Sequence, residues 1–511
     1  MSGPRLGAGE ILPLVRRMTG APDPLTLFAA LTEGGRRPDT LLLESADATT
    51  RVGERSVLVV RSMLRITCRS GHIVLDSLSV SGAELASRVT CSPPELGRGE
   101  RDERERLLAP GPLDALREAV LSPRLVSEAG TFSLFAAGIF AYDLVDLFES
   151  LPPPKVDTLG FPDYVFWVPD RVIVVDHVQN ATTIIALIVG GASAEGAYHD
   201  AVRDVERLVR IVEETGTRGA SVVPGAPPPG RVSVDLDDEA FADLVTRLKR
   251  NVVAGDVFQI VPSRTFSTPC DDALSAYARL RAFNPSPYQF LVRGSDFTLL
   301  GGSPETAVRV AGGPALVSIR PIAGTAPRGR TASGAMDLEL DARLQAALLT
   351  DTKEIAEHLM LLDLARNDVA RVCRPGSRRV SRLLEVERYQ HVMHLVSEVV
   401  GELDDGLDAL HVYAASLNMG TLVGAPKIRA AALLREHEAS KRGPYGGALG
   451  YLSHDGTLDT AIVIRSAFLR DGMAHVRAGA GVVLDSDPRA EAQETRRKAA
   501  SVLRALGTET P

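Results

Sequence analysis

Hydrophobic positions recur along this chain in two periods, and the switches between them divide it into elements. A spacing of three to four predicts helices over 24–31, 197–214 and 239–254; the last carries Phe241, Leu244, Val245, Leu248 and Val252 as its stripe, with Asp238 placed to cap it and Gly255 to stop it. Alternation and short apolar runs predict strands over 40–43, 56–67, 72–80, 257–261, 297–300, 305–310 and 315–320. Strands 171–176 and 182–189 flank Gln179-Asn180 as a hairpin. From 446 to 484 the pattern is a three-strand meander turning at Asp455-Gly456 and Asp471-Gly472, with Arg465 inside the apolar middle strand 457–469. Two more helices are rich in glutamate. One spans D-T-K-E-I-A-E-H-L-M-L-L-D-L-A-R-N-D from Asp351, with Ile355, Leu359 and Leu362 as its apolar stripe. The other opens at Asp487-Pro488 and continues into A-E-A-Q-E-T-R-R-K.

Between these elements lie segments with little to bury. Residues 215–230, T-G-T-R-G-A-S-V-V-P-G-A-P-P-P-G, read as a linker, which places a domain boundary between 1–225 and 226–511. The mixed-charge run at 95–106 reads as a solvated loop or helix end. Asn284-Pro-Ser-Pro-Tyr288 is expected to be a rigid surface turn, because Pro285 and Pro287 each remove a donor. R-P-I-A-G-T-A-P-R-G-R, 320–330, is a Gly-rich basic loop, either an anion cradle or a plain turn, and it lacks the G-x-x-x-x-G-K spacing of a nucleotide phosphate loop.

Composition narrows the class. The 511 residues carry 45% apolar and 24% charged side chains, an ordinary globular balance, and a net charge of -8. That charge argues against nucleic acid or an anionic membrane as partner and means that an anionic substrate needs local cations. Cys68, Cys91, Cys270 and Cys373 are widely spaced and suggest neither a zinc site nor a disulfide framework. The longest apolar run, 184–189, is too short to cross a bilayer, and the first residues lack a signal-peptide layout, so a cytoplasmic protein is expected.

Candidate chemistry gathers on the glutamate helices. Glu491 and Glu494 stand at i and i+3 with Lys498 one turn on, and Glu354 and Glu357 repeat the spacing. Each face is either solvated or half of a cation site; two such pairs could hold one hard divalent ion. Arg465 is costly to bury without a carboxylate. The glycines of Gly479-Ala480-Gly481 let a ligand approach the backbone.

Several strings, in this order, resemble the large components of anthranilate synthases among the chorismate-utilising enzymes: N-V-V-A-G-D-V-F-Q-I-V-P-S-R, S-P-E-T, P-I-A-G-T-A-P-R-G, H-L-M-L-L-D-L-A-R-N-D, M-G-T-L-V-G-A-P-K, Y-G-G-A-L-G-Y, A-I-V-I-R-S-A, R-A-G-A-G and E-A-Q-E-T-R-R-K. The resemblance implies an α+β fold of largely antiparallel sheets packed as a sandwich with helices outside. It implies a lyase in which ammonia attacks C2 of chorismate as the 4-hydroxyl leaves, and pyruvate is then eliminated to give anthranilate, the first committed step towards tryptophan.

It also assigns roles. Glu357 and Glu494 match ligands of Mg2+, with Glu354 and Glu491 in support. Tyr445 and Arg465 match the residues that hold the enolpyruvyl carboxylate, and Gly324, Thr325, Gly479, Ala480 and Gly481 match backbone contacts to substrate. Glu305 matches a general acid for the hydroxyl and His394 the histidine of the elimination half, although a histidine in V-M-H-L-V also reads as a packed core residue. Thr421 and Lys498 match further active-site positions. Gln259 and Ala323 stand where relatives that add water, or that aminate C4, carry lysines, which leaves anthranilate as the consistent product.

L-L-L-E-S at 41–45 and N-P-S-P-Y at 284–288 resemble two halves of a tryptophan feedback site. Glu44 and Ser45 would meet the ligand's ammonium, and Pro287 and Tyr288 would complete the site; Gln289 replaces an expected methionine. No glutaminase-like segment or G-x-C-x-G nucleophile is seen, so a separate glutamine amidotransferase subunit is expected, in a heterotetramer. Two other readings remain at this level: a non-catalytic amino-acid-binding regulator, marked by indifference to Mg2+, and a different chorismate enzyme, revealed by its product.

Overall fold

In neighbouring strands, successive side chains enter two different cores, and this alternation explains the architecture. Aligned across six strands, Ile173, Leu58, Leu42, Leu291, Leu300 and Ala467 form one row, while Val172, Val59, Leu41, Val292, Leu299 and Phe468 form the next. The first row packs beneath helices Pro24–Leu31, Ala273–Phe283 and Pro488–Ala505 through Leu27, Phe28, Tyr277, Leu280, Val502 and Leu503. The second row meets Val308, Leu449, Leu458 and Ile462 of another sheet. The result is a sandwich with helices on its outer face. It is described here from a computed structural model covering residues 6–46, 53–90, 102–127, 130–153, 155–218, 222, 230–313, 315–331, 333–389 and 392–508.

The first sheet runs through Tyr164–Asp176, Gly53–Arg69, Thr40–Ala46, Tyr288–Arg293, Thr298–Ser303, Ser466–Arg470, Met473–Gly479 and Ser263–Pro269. The second runs through Phe135–Phe140, Ala448–Ser453, Leu458–Ile462, Thr306–Ala311, Leu316–Ile319 and Val392–Glu402. Tyr164–Asp176 joins them, pairing with Phe135–Phe140 through its first residues and with Ala181–Val189 through its last. These pairings are antiparallel. Strands from both sides of residue 225 pair directly, as Thr40–Ala46 with Tyr288–Arg293 and Phe135–Phe140 with Ala448–Ser453.

The chain crosses between the sheets twice at one place. Residues 303–306 lead from the first sheet to the second, and 462–466 lead back. The crossings hold each other: the Gly302 amide donates to the Arg465 carbonyl at 3.2 Å and the Ile462 amide to the Glu305 carbonyl at 3.0 Å. The expected middle strand 457–469 is therefore two strands, broken where Arg465 adopts a left-handed φ of 50°. The break sets Arg465 at a junction instead of inside a ladder.

Other expectations shift in instructive ways. The Gly-rich stretch 320–330 contains a strand, Ile322–Pro327, paired to Val392–Glu402 with a register shift between Ile322 and Thr325. Strand 257–261 shrinks to Gln259–Ile260. Strand 72–80 ends at Ser77, because Ser79 caps a helix, Val80–Ala86. Asp237, not Asp238, caps Asp238–Val253, freeing Asp238 to bind Arg264 and Arg496. On Thr352–Ala370 the buried stripe is His358, Leu361, Leu362, Ala365 and Val369, while Leu359 is exposed. In the charged run Asp102 caps Glu103–Leu108; residues 95–101 lie outside the described residues, as does Cys91. Cys68, Cys270 and Cys373 are free thiols. No described helix is long and apolar enough to cross a membrane.

Leu300→Ala would empty a fully buried position in the row beneath the helices and cost about 3 kcal/mol. The expected readout is a melting temperature lowered by several degrees; an unchanged one would mean that this row carries little of the stability.

Candidate active site and a second cavity

The double crossing leaves a cavity of about 460 Å³, closed by helices Thr352–Ala370 and Pro488–Ala505. Glu305 and Arg465, one from each crossing, both line it. Glu305 is buried and accepts a hydrogen bond on Oε1 from Thr421 Oγ1 at 2.9 Å. Burial pushes its carboxyl up to about 8, against the pull of Thr421 and Lys498. The Arg465 guanidinium has no hydrogen-bond or ion-pair partner among the described residues; burial holds it below its usual value, opposed by Glu494 and Tyr445. A half-buried cation without a partner, at the wall of a cavity, is prepared for an anion.

His394 lies opposite Thr325 on the neighbouring strand, with Nδ1 2.9 Å from Thr325 Oγ1 and the Tyr389 ring edge-on at 5.2 Å. Burial, joined by the charge of Arg465, lowers it to about 4, so the imidazole is neutral at pH 7. Gly324 has φ of 89°, and a Cβ there would come within 2.9 Å of Leu395 and 3.4 Å of a Glu354 carboxylate oxygen. A Cβ on Gly481 would come within 2.8 Å of Gln259 Nε2. Gly479 packs against the Tyr445 hydroxyl, and its carbonyl accepts from Lys498 Nζ at 3.1 Å. Ala480 is buried beside it.

All four glutamates line this cavity. Gln259 Nε2 donates to Glu357 Oε1 at 2.9 Å, while Gln259 Oε1 is buried without a partner among the described residues. Burial and the neighbouring Glu354 charge raise Glu357; burial and Glu494 raise Glu491. Glu494 differs: burial pushes it up, but Lys498 at 3.3 Å and Arg497 at 2.8 Å bring it below its ordinary value. Among the described residues no three acidic, His or Cys side chains converge as a ready ligand set. The donor chemistry still fits a hard cation, since carboxylates that resist ionisation share one wall and a cation would relieve them.

A second cavity of about 740 Å³ lies beside the first, and the two share Pro304 and Ile322. The structure brings Glu44, Ser45, Pro287, Tyr288 and Gln289 to it from adjacent strands, with Tyr288 opposite Ser45 and Gln289 opposite Glu44. The carboxylate of Glu44 is engaged with helix Ala273–Phe283: Tyr277 Oη donates to it at 2.6 Å and Arg281 Nη2 at 2.9 Å. By strand alternation Ser45 and Tyr288 take the opposite face. Tyr288 Oη bonds Asp459 Oδ1 and Thr306 Oγ1, both at 3.0 Å, and the buried Gln289 Nε2 has no partner among the described residues. The N-P-S-P-Y turn is less exposed than expected, with Ser286 buried.

Sequence reasoning passed over Asp459, Arg477 and Lys353, which line these cavities. Asp459 carried a signal, a carboxylate within the apolar strand Leu458–Ile462; the other two had none of their own.

Known proteins resemble this chain in sequence and in fold. A family model described as chorismate binding enzyme matches residues 92–504. The chain is 47% identical over 486 residues to the pyocyanine-specific anthranilate synthase component 1 of Pseudomonas aeruginosa, covering 91% of this chain and 89% of that one. It is 45% identical over 502 residues to anthranilate synthase component 1 of Vibrio cholerae, covering 95% and 94%. The crystal structure of anthranilate synthase component I from Streptococcus pneumoniae superposes with a TM-score of 0.70 at 32% identity, covering 88% and 92%.

The raised carboxyl of Glu305 generates a stability test. The native state keeps its proton to about pH 8, whereas the unfolded chain loses it near 4.5, so native stability falls as pH rises through that window. Glu305→Gln removes this term. In melts from pH 5 to 9 the variant should gain on the unaltered protein, by up to about 1.4 kcal/mol per pH unit. Parallel curves would place the Glu305 pKa near its ordinary value.

Proposed function

The chain belongs to the chorismate binding enzymes, in the group of anthranilate synthase component 1, and from that membership we propose that it converts chorismate and ammonia to anthranilate and pyruvate. The observation that carries this reading is Arg465, a half-buried guanidinium with no partner among the described residues, facing a cavity that four glutamates also line. One wall suits a carboxylate and the other suits a cation bound to a second carboxylate, the pattern that a dicarboxylic substrate requires.

In this reading Arg465 and Tyr445 hold the enolpyruvyl carboxylate. Glu357 and Glu494 hold Mg2+, supported by Glu354 and Glu491, and the ion supplies charge neutralisation and electron withdrawal at the ring carboxylate. The backbone of Gly324, Thr325, Gly479, Ala480 and Gly481 borders the ring. Glu305 is protonated at neutral pH; with Oε1 accepting from Thr421, it gives its proton to the departing 4-hydroxyl as ammonia bonds to C2. Neutral His394 then takes the C2 proton as the C3–O bond breaks, and the enolate so released takes up a proton to become pyruvate. Gln259 offers no base to activate water, and Ala323 offers no nucleophile.

Ammonia is delivered by a separate glutamine amidotransferase subunit in a cytoplasmic heterotetramer. The larger cavity takes tryptophan as feedback inhibitor, with Ser45, Pro287 and Tyr288 as contacts; Glu44 braces the strand from behind through Arg281 and Tyr277, and Gln289 stands at the same place.

Anthranilate fluorescence tests this reading. Purified chain should form anthranilate from chorismate, Mg2+ and ammonium but not from glutamine, and chelation should stop it. Glu494→Gln should lower the rate at least about 100-fold. Isochorismate, 4-aminobenzoate derivatives or no product would sink the assignment. Added tryptophan should suppress the reaction, and Tyr288→Ala should weaken that suppression about tenfold. Activity indifferent to tryptophan would reject the feedback site and favour a route to another end product.

A further inference from the structure

Glu438 stands where a carboxylate is least expected. It is buried and caps the C-terminal end of helix Lys427–His437, where the helix dipole opposes a negative charge. Five donors converge on it. Oε1 accepts from the Ser263 amide at 2.9 Å, Ser263 Oγ at 2.8 Å and Arg442 Nη2 at 2.7 Å; Oε2 accepts from Arg442 Nε at 2.8 Å and Arg477 Nη2 at 3.0 Å. Ser263, Arg442 and Arg477 are themselves buried. Such a cluster is costly to assemble, and an apolar set of the same volume would serve stability as well.

The cluster reaches the reaction cavity on several sides. Arg442 donates to the carbonyls of Val261 and Leu422, both cavity walls, at 2.7 Å, and lies over the Tyr445 ring at 6.0 Å. Arg477 is part of the wall, and its other nitrogens are tied to Ser263 Oγ and the Lys441 carbonyl, both at 2.8 Å. Ser263 pairs with Gly479 across the ladder, and Gly479 packs against the Tyr445 hydroxyl. Two guanidinium groups against one carboxylate leave a net positive charge behind this wall.

We propose that Glu438 is a positioning residue for the substrate's carboxylate: by clamping Arg442 and Arg477 behind Tyr445 and Gly479 it fixes the wall facing the anion, and so sets how tightly chorismate is held rather than how fast it reacts. This rests on reading the cavity as the chorismate site. Removing the clamp leaves Arg442 held only by the Val261 and Leu422 carbonyls and Arg477 only by its bonds on the Ser263 and Lys441 side, which loosens both and lets Tyr445 lose its register against Gly479. The anion site is blurred, while Glu305, His394 and the glutamate helices keep their places.

The test uses the full chain, Glu438→Gln, Glu438→Asp and Ser263→Ala, with melting temperatures measured alongside. Kinetics with ammonium and Mg2+ give KM and kcat, and calorimetry without ammonium gives the chorismate Kd. Glu438→Gln should raise KM and Kd about tenfold or more with kcat within about threefold, and Glu438→Asp should recover part of the affinity. Ser263→Ala, which removes one bridging hydroxyl, should show a smaller rise in KM and decides the matter if Glu438→Gln does not fold. Folded variants with unchanged KM, or with kcat lowered at constant KM, overturn the proposal. An unaltered chain that neither binds chorismate nor forms anthranilate overturns the parent reading instead.

Discussion

The arrangement depends on one topological constraint: two sheets share a chain that crosses between them twice at one place. At each crossing the backbone leaves one ladder before joining the next, so some of its side chains line a gap while others, such as Val463, still enter the core. The crossings satisfy their own amides by bonding to each other, through Gly302 to Arg465 and Ile462 to Glu305. Polar side chains that would be intolerable inside either sheet are thereby accommodated. Glu305 and Arg465 are the two residues so placed, and they carry opposite chemistry.

Charge then divides the cavity. The strands contribute Arg465 and Arg477 to its lining, and the helices contribute four carboxylates, tempered by Lys353 and Lys498 and most of all at Glu494, which Lys498 and Arg497 both reach. The protein as a whole is acidic, yet it presents a local cation to an anion by withholding a partner from one arginine. Burial does the remaining tuning. It raises Glu305 to about 8 and lowers His394 to about 4, so that an acid and a neutral imidazole coexist at pH 7.

Much of this was legible in the residues. Caps, glycine stops and Asp-Gly turns located most elements, because local chemistry determines them. The i,i+3 glutamates had to share a helix face wherever the helix went, and every residue placed by family resemblance in the reaction cavity is found at its wall or packed against it. What failed were features decided by tertiary contacts. The break at Arg465 looks like continuous strand because its flanks are apolar. The strand Ile322–Pro327 looks like a loop because its glycine and proline are tolerated beside a bulge. The exposure of Leu359 follows from which helix face the sheet happens to cover. Glu438 and Arg442 stand one helical turn apart in number, but Ser263 and Arg477 are far from them in sequence, and the cluster was invisible until folding brought the four together.

The two cavities have Pro304 and Ile322 in common, and the hydroxyl of Tyr288 in one is bonded to Thr306, the neighbour of Glu305 in the other. A partition of this kind cannot move for one side only. Any occupant of the larger space that displaces it alters binding in the smaller, and thermodynamic reciprocity requires the smaller space, once filled, to alter binding in the larger by the same factor. A molecule that shuts the reaction down through this wall is therefore also one that a full complement of substrate helps to expel.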